Sequence, residues 1–428
     1  MNPAKTTRAS TKRILLASLA GTTIEFFDFY IYATAAVLVF PKLFFPAANP
    51  ASATLQSLAT FALAFFARPL GAAIFGHFGD RKGRKATLVA ALMTMGPSTV
   101  AIGLLPTYQS IGVAAPILLA LFRFGQGLGL GGEWGGAVLL ATENAPAGKK
   151  AWYGMFPQLG APIGFTFSSG IFLLLNKVLN DRQFLDFGWR IPFIASAILV
   201  WVGLYVRLKL TETPDFEKVM ERQQRVKVPI ADVFVRHTRA IVLGTAAAIT
   251  TFLLFYLMTV FTLSWGTSVL HYEKDSFLIA QIISMLFFSI GIPLSAVLAD
   301  KYGRGSILML ATVCIFVFGL FFAPLFRPGS LVATGVFLSV GMFLMGMTYG
   351  PLGTALAEIF PTAVRYTGAS LAFTLAGILG ASLTPYLATT LAKNYGLPAV
   401  GYYLCIAAVI TFAALAAARS SGIFRLNA

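Results

Sequence analysis

Five ionisable residues stand inside stretches otherwise made of apolar and small side chains: Glu25, Asp28, Arg68, Arg123 and Glu133. In a membrane such charges are costly and are functional hypotheses by default. Glu25 and Asp28 are three apart, so on a helix they share a face. Two carboxylates on one face in low dielectric cannot both ionise cheaply, and one is expected to hold a proton. The set has three acids and two arginines; if both arginines pair, one acid is left for a proton to neutralise. That is the chemistry of proton coupling, and the competing reading is an ion-pair network that never titrates. Counting helical rise, Asp28 and Arg123 are the outermost acid and base and form the expected pair. Protonation of Asp28 would then release Arg123, with Glu25 the other candidate for the titrating group and Glu133 a further member of the set.

Arg68 is the candidate for a substrate. Its planar guanidinium suits bidentate recognition of a carboxylate, and Pro69 after it frees a backbone carbonyl. The competing reading pairs Arg68 with Glu133 or Glu25. Neutral groups available for hydroxyl or ring recognition are Tyr30 and Gln158, and later Tyr256, Ser264, Trp265, Gln281, Thr348, Tyr349 and Thr354. For most of these, packing is the plainer role.

The elements that must position these residues follow from composition. Hydrophobic residues make up 57% of the 428, charged residues 11%, and the mean hydropathy is +0.79. Soluble domains carry about a quarter charged residues, so this chain cannot clothe a water-facing surface. Apolar runs long enough to cross a bilayer core of ~30 Å as helices begin near Ile14, Ser52, Ala86, Gly112, Trp152 and Ile191. A second six begin near Ile241, Phe277, Ser306, Leu331, Thr367 and Val400. The runs are continuous and too long for tilted strands, which excludes a β-barrel. The expected fold is an all-α membrane protein of 12 helices in two six-helix halves, 1–209 and 240–428, joined by a linker over 210–239. Within that linker, Glu217, Lys218, Glu221, Arg222 and Arg225 suggest a short surface helix.

Basic residues sort by loop. Lys5, Arg8, Lys12 and Arg13, the 81–85 loop, Lys149 and Lys150, Lys301 and Arg304, Arg365, the linker (reckoned from Arg207) and the tail fall on one side. The other side has Lys42, Lys177, Arg182, Arg190, Lys274, Arg327 and Lys393. The positive-inside rule then puts both termini and the linker in the cytoplasm. The net charge of +16 is this topological bias, not a nucleic-acid surface. The first run is too long for a signal peptide and contains Glu25 and Asp28, so it is read as an uncleaved span. Cys314 and Cys405 both fall in spans and read as packing residues.

The halves echo each other. Gly76-His-Phe-Gly-Asp-Arg-Lys-Gly-Arg-Lys85 after the second run matches Ala296-Val-Leu-Ala-Asp-Lys-Tyr-Gly-Arg-Gly305 after the eighth. Glu143 and Lys150 match Glu358 and Arg365, seven residues apart in both halves. Repeated six-helix halves with a solute site near the midplane are a common carrier architecture. The paired Asp-x-x-Gly-Arg loops resemble the signature of the major facilitator superfamily. Six segments together resemble its metabolite:proton symporters, carriers of shikimate, 2-oxoglutarate, citrate or proline/betaine. They are Glu25-Phe-Phe-Asp-Phe-Tyr30, Arg68-Pro-Leu-Gly71, Gly76–Lys85, Gly131-Gly-Glu-Trp-Gly-Gly136, Gly188-Trp-Arg-Ile-Pro-Phe193 and Glu358–Gly368. The second loop departs at Ala296 and Gly305. The resemblance implies proton-driven uptake of a small organic acid across a bacterial inner membrane by alternating access, with an antiporter or a zwitterion carrier as the alternative. It also supports the Asp28–Arg123 pair.

The loops are expected to gate. Asp80 would cap a helix end and meet Arg84 or a base near Lys150, while Asp300, Arg304, Glu358 and Arg365 would form the symmetric cluster, and Glu143 is a further gating candidate. Glycines in the 125–136 and 154–164 stretches let helices approach closely, as a rigid seam or as sliding surfaces. They are not nucleotide loops, since they lie within spans. His77, His237 and His271 are scattered, and no metal, nucleophile or ATP-binding motif exists. An enzyme is therefore not expected. A channel would need neither the buried charges nor the duplication. No cofactor beyond the proton gradient is implied, and the partners are the solute, protons and lipid, with the chain working as a monomer and binding no nucleic acid.

Overall fold

The computed structural model describes residues 3–46, 50–208 and 229–420. Among the described residues the chain has twelve main helices, eleven of them long and apolar enough to cross a membrane. They are α1 (Pro3–Leu38), α2 (Pro50–Lys82), α3 (Arg84–Leu104), α4 (Ala114–Thr142), α5 (Lys150–Val178) and α6 (Arg190–Leu208). The second six are α7 (Thr238–Ser268), α8 (Lys274–Tyr302), α9 (Arg304–Leu320), α10 (Leu331–Ile359), α11 (Thr362–Tyr395) and α12 (Leu397–Ser420). Each begins within five residues of its expected start, except α1, whose helix starts at Pro3 ahead of the apolar span that begins at Ile14. The α9 helix is the shortest and is extended by a further short turn, Phe322–Leu325. Most of the linker, including the proposed Glu217–Arg225 helix, lies outside the described residues; its described end forms a short helix, Pro229–Arg236.

The internal repeat reappears as packing. Helix α2 runs along α4 as α8 runs along α10, and α1 along α5 as α7 along α11. The two sixes meet where α5 lies against α8 and α10, and α2 against α11. Each Asp-x-x-Gly-Arg turn reverses the chain on a glycine at positive φ, Gly83 at +114° and Gly303 at +89°. Only glycine adopts such angles without strain.

Two of the α-helical runs are broken by π turns, Leu257–Phe261 in α7 and Ile378–Ser382 in α11. In the first, Gln281 of α8 donates to the carbonyls of Met258 and Thr259 at 3.1 and 2.6 Å. The expected substrate contact Gln281 thus spends its amide nitrogen on backbone that the wider turn leaves open.

The glycine stretch of α4 is a seam. A Cβ on Gly131 would stand 2.0 Å from the carbonyl oxygen of Arg68, and one on Gly71 would stand 2.0 Å from that of Leu128. Backbone meets backbone there, so neither side can yield. Gly131→Ala is expected to destabilise the purified protein by about 1–3 kcal/mol or more, read as a lower melting temperature in detergent. Gly335→Ala, where nothing lies within 4 Å of the added carbon, is the control expected to melt unchanged.

Candidate functional site

All five buried charges expected from the sequence are withdrawn from solvent, and a sixth joins them. Arg207, reckoned above with the linker, lies on the inner face of α6, 3% exposed. Its Nη2 forms an ion pair with Glu133, and its Nη1 donates to the Leu88 carbonyl at 2.9 Å. Glycine at position 21 leaves room for it, since a Cβ there would meet Nη2 at 3.0 Å. Among the described residues Glu25, Asp28 and Glu133 thus lie with Arg68, Arg123 and Arg207, so the acids of this set are not in the expected surplus.

The expected Asp28–Arg123 pair is not formed. Asp28 Oδ1 accepts from Ser196 Oγ at 2.6 Å. Arg123 donates instead to Gln126 Oε1 at 3.0 Å, and Gln126 Nε2 donates on to Thr99 Oγ1 at 2.8 Å. The Arg123 guanidinium lies over the rings of Tyr32, Phe29 and Phe61 at 4.0, 4.3 and 4.9 Å, where cation–π attraction offsets part of its desolvation. Gln126 and Ser196 were not picked out from the sequence, although Gln126 stands one turn beyond Arg123.

Arg68 pairs with neither Glu133 nor Glu25. Its guanidinium stands 5.7 Å from each of the Phe29, Phe65 and Phe373 ring centres, and Nε and Nη2 have no hydrogen-bond partner among the described residues. Both oxygens of Glu25 are likewise buried without one. Glu25 lies within electrostatic reach of Arg68, Arg207 and Asp28; the phenols of Tyr30, Tyr256 and Tyr349 are all within reach of Arg68, and those of Tyr30 and Tyr349 also of Glu25. Tyr30 stacks on Phe255 at 5.5 Å. Tyr256 packs between Phe61 and Phe65 at 5.8 and 5.3 Å. Buried, unmatched donors and acceptors within electrostatic reach of one another are what a polar ligand would satisfy.

The remaining expected contacts divide. Gln158 is fully engaged: its oxygen accepts from Trp134 Nε1 at 2.9 Å, and its nitrogen donates to the Tyr349 carbonyl at 2.8 Å, tying α5 to α10. Trp134 stacks on Phe373 with centroids 3.5 Å apart, so α4 and α11 form one wall. Trp265 is higher, in a cavity of about 310 Å³ where α1 and α2 part from α7 and α11, lined also by Leu38, Thr54, Leu58, Ser264 and Lys393.

At the opposite, basic rim the halves are latched. Asp300 accepts from the Ala151 and Trp152 backbone at 2.9 Å each, at the start of α5. Asp80 accepts from Thr367 N and Oγ1 at 3.0 and 2.8 Å, near the start of α11. A carboxylate at a helix N-terminus meets both free N–H groups and the positive end of the helix dipole. Asp80 thus reaches the other half's backbone rather than a base near Lys150, and the side chain of Arg84 lies outside the described residues. Arg304 lies 3.7 Å from Asp300 and 2.6 Å from Glu358, which also meets Lys150 at 3.7 Å. Arg365 crosses to Glu143 at 3.5 Å and is also within electrostatic reach of Glu358.

The double replacement Asp80→Asn/Asp300→Asn removes charge from both caps, about 1–2 kcal/mol each. It is expected to open this rim. A cysteine placed at the buried Ala357, in a background with Cys314 and Cys405 replaced by serine, should react with maleimide at least tenfold faster than with both caps intact.

A family model described as the Major Facilitator Superfamily matches residues 18–385. The chain is 56% identical over 411 residues to the inner membrane metabolite transport protein YhjE of Escherichia coli K12, covering 95% of this chain and 93% of that one. It is 37% identical over 388 residues to the shikimate transporter of the same organism, covering 89% and 87%. It is 34% identical over 416 residues to that organism's proline/betaine transporter, covering 93% and 81%. Among solved structures, the proton:xylose symporter XylE bound to 6-bromo-6-deoxy-D-glucose superposes with a TM-score of 0.74 at 19% identity, covering 96% of each chain. That likeness is one of fold.

Proposed function

The chain belongs to the major facilitator superfamily, a family of transporters rather than enzymes, and from that premise we propose that it is a proton-coupled symporter taking up a small organic acid. The observation that carries this reading is Arg68, buried with unmatched N–H groups and within electrostatic reach of Glu25 and the phenols of Tyr30, Tyr256 and Tyr349. A carboxylate supplies the bidentate acceptor such a guanidinium lacks, and the phenols suit hydroxyls or a ring. The shikimate transporter among the relatives favours an acid of that type. Proton coupling rests on the buried carboxylates Glu25 and Asp28. The basic rim is assigned to the cytoplasm of a bacterial inner membrane, with both termini on that side. The 1–209 and 240–428 halves rock about this site, closed at the cytoplasmic rim and parted at the other.

A zwitterionic substrate is the second reading, favoured by the unpartnered carboxylate of Glu25 beside Arg68 and by the proline/betaine relative. Uptake into proteoliposomes under an imposed inward proton gradient separates the two. The panel is radiolabelled shikimate, 2-oxoglutarate, citrate, aromatic acids, proline and betaine. Accumulation of an acid that collapses with a protonophore is the expected result. Accumulation of proline or betaine alone would replace the organic acid by the zwitterion.

A further inference from the structure

Two of the three buried acids are already provided for. Glu133 is matched by Arg207, whose other contacts are the Leu88 carbonyl and the space at Gly21. Asp28 is held at one oxygen by the Ser196 hydroxyl, and Arg123 at one nitrogen by Gln126 and over three rings, their other polar atoms having no partner among the described residues. Glu25 and Arg68 remain, opposite in sign, within electrostatic reach, and with no ion pair as close as 4.0 Å between them. The groups within electrostatic reach of Glu25 are Arg68 from α2, Arg207 with its partner Glu133 from α6 and α4, and Tyr349 from α10, while Tyr256 from α7 reaches Arg68. Asp28 and Tyr30 lie on its own helix. Helices α3 and α5 bring only neutral side chains to this depth, their charges lying at their ends.

We propose that Glu25 and Arg68 form one composite site, in which Arg68 takes the substrate's carboxylate and Glu25 takes the coupling proton. This deepens the symport reading and rests on it. The reason is neutrality. In the empty carrier the carboxylate of Glu25 offsets Arg68. An arriving carboxylate claims that cation and leaves Glu25 as an uncompensated buried charge, which costs several kcal/mol. A proton from the outer solution bonding to a Glu25 oxygen restores neutrality. When the substrate leaves on the inner side, Glu25 gives the same proton to the inner solution and again faces Arg68. One proton therefore accompanies each carboxylate, and a monoanion moves with no net charge. A zwitterion brings its own cation to Glu25 and needs no proton.

The test is calorimetry of shikimate binding to the purified full-length carrier in phosphate and in Tris, whose ionisation enthalpies differ; any other acid that accumulates in the uptake panel serves equally. The wild-type protein should take up about one proton per acid bound. Glu25→Gln should bind the acid with an uptake near zero, keep exchange of labelled for unlabelled acid, and lose gradient-driven accumulation. Asp28→Asn should still take up its proton. Glu25→Asp, which keeps the carboxylate, should retain the uptake and serves if the Gln variant does not fold. Proton uptake surviving in Glu25→Gln, or vanishing in Asp28→Asn, overturns the assignment, as does acid binding to the wild-type protein without proton uptake. A wild-type carrier that binds no acid at all removes the organic-acid reading itself and the inference with it.

Discussion

Arg207→Met is expected to cripple folding, and adding Glu133→Gln to it is expected to restore most of what is lost. Glu133 is fully buried in α4, and its ion-pair partner is the Arg207 guanidinium. Removing one member of such a pair leaves a bare charge in low dielectric, at a cost of about 3–5 kcal/mol. The loss should appear as a sharp fall in monodisperse protein and in melting temperature. With Glu133→Gln also present no unpaired charge remains, and replacing both members of a buried pair is often nearly neutral. Arg207→Lys should fall between the two, because one ammonium cannot readily serve both Glu133 and the Leu88 carbonyl that the two terminal nitrogens now divide. A double variant no more stable than Arg207→Met would mean that the guanidinium matters for its packing under Gly21 and not for the charge it offsets.

Arg207 also marks where the sequence could have been read further. It stands at the end of a span beside Lys209 and the basic linker, so the positive-inside pattern absorbs it. Yet Phe193, Ser196, Val200, Gly203 and Arg207 recur at intervals of three and four and are all buried. That is the inner stripe of one helix. Extending the stripe one more turn would have placed Arg207 inside.

The twelve spans were legible because bilayer hydropathy is a local property of twenty residues. The buried charges were legible for the same reason, as exceptions to it. Their partners were not, because pairing depends on how helices lie side by side. Depth along the membrane matched Asp28 to Arg123, but the lateral neighbour of Asp28 is Ser196 on α6. The internal repeat correctly paired Asp80 with Asp300 as equivalents. Both aspartates accept backbone N–H groups at Thr367, Ala151 and Trp152, and a backbone donor has no residue type by which a sequence could announce it. Similarly, Gln158 is tied to Trp134 and the carbonyl of Tyr349, whereas Gln281 spends its nitrogen on the carbonyls of Met258 and Thr259 and keeps a buried, unmatched oxygen.

Arg68→Lys should leave the protein folded and weaken its uptake of substrate roughly 10- to 100-fold in half-saturation. The substitution keeps the positive charge facing Glu25, so the site stays neutral and no bare carboxylate is created. The ammonium can remain near the Phe29, Phe65 and Phe373 rings that now surround the guanidinium at 5.7 Å, since cation–π attraction accepts either cation. What is lost is the fork. Lysine presents a point charge with no fixed pair of parallel N–H groups, so a carboxylate held by two charge-assisted bonds keeps one at best. A hydrogen bond to a charged group contributes about 1.5–3 kcal/mol, which is roughly a 10- to 100-fold rise in the half-saturation concentration. Arg68→Gln removes the charge as well, so Glu25 must carry a proton whether or not substrate is bound, and coupling is lost along with affinity. The expected order of uptake is therefore wild type, then Lys, then Gln, at equal melting temperatures for the first two. Wild-type half-saturation in Arg68→Lys would show that the cation serves only the rings and Glu25, and would move the carboxylate to Arg123, the other buried guanidinium with unmatched nitrogens.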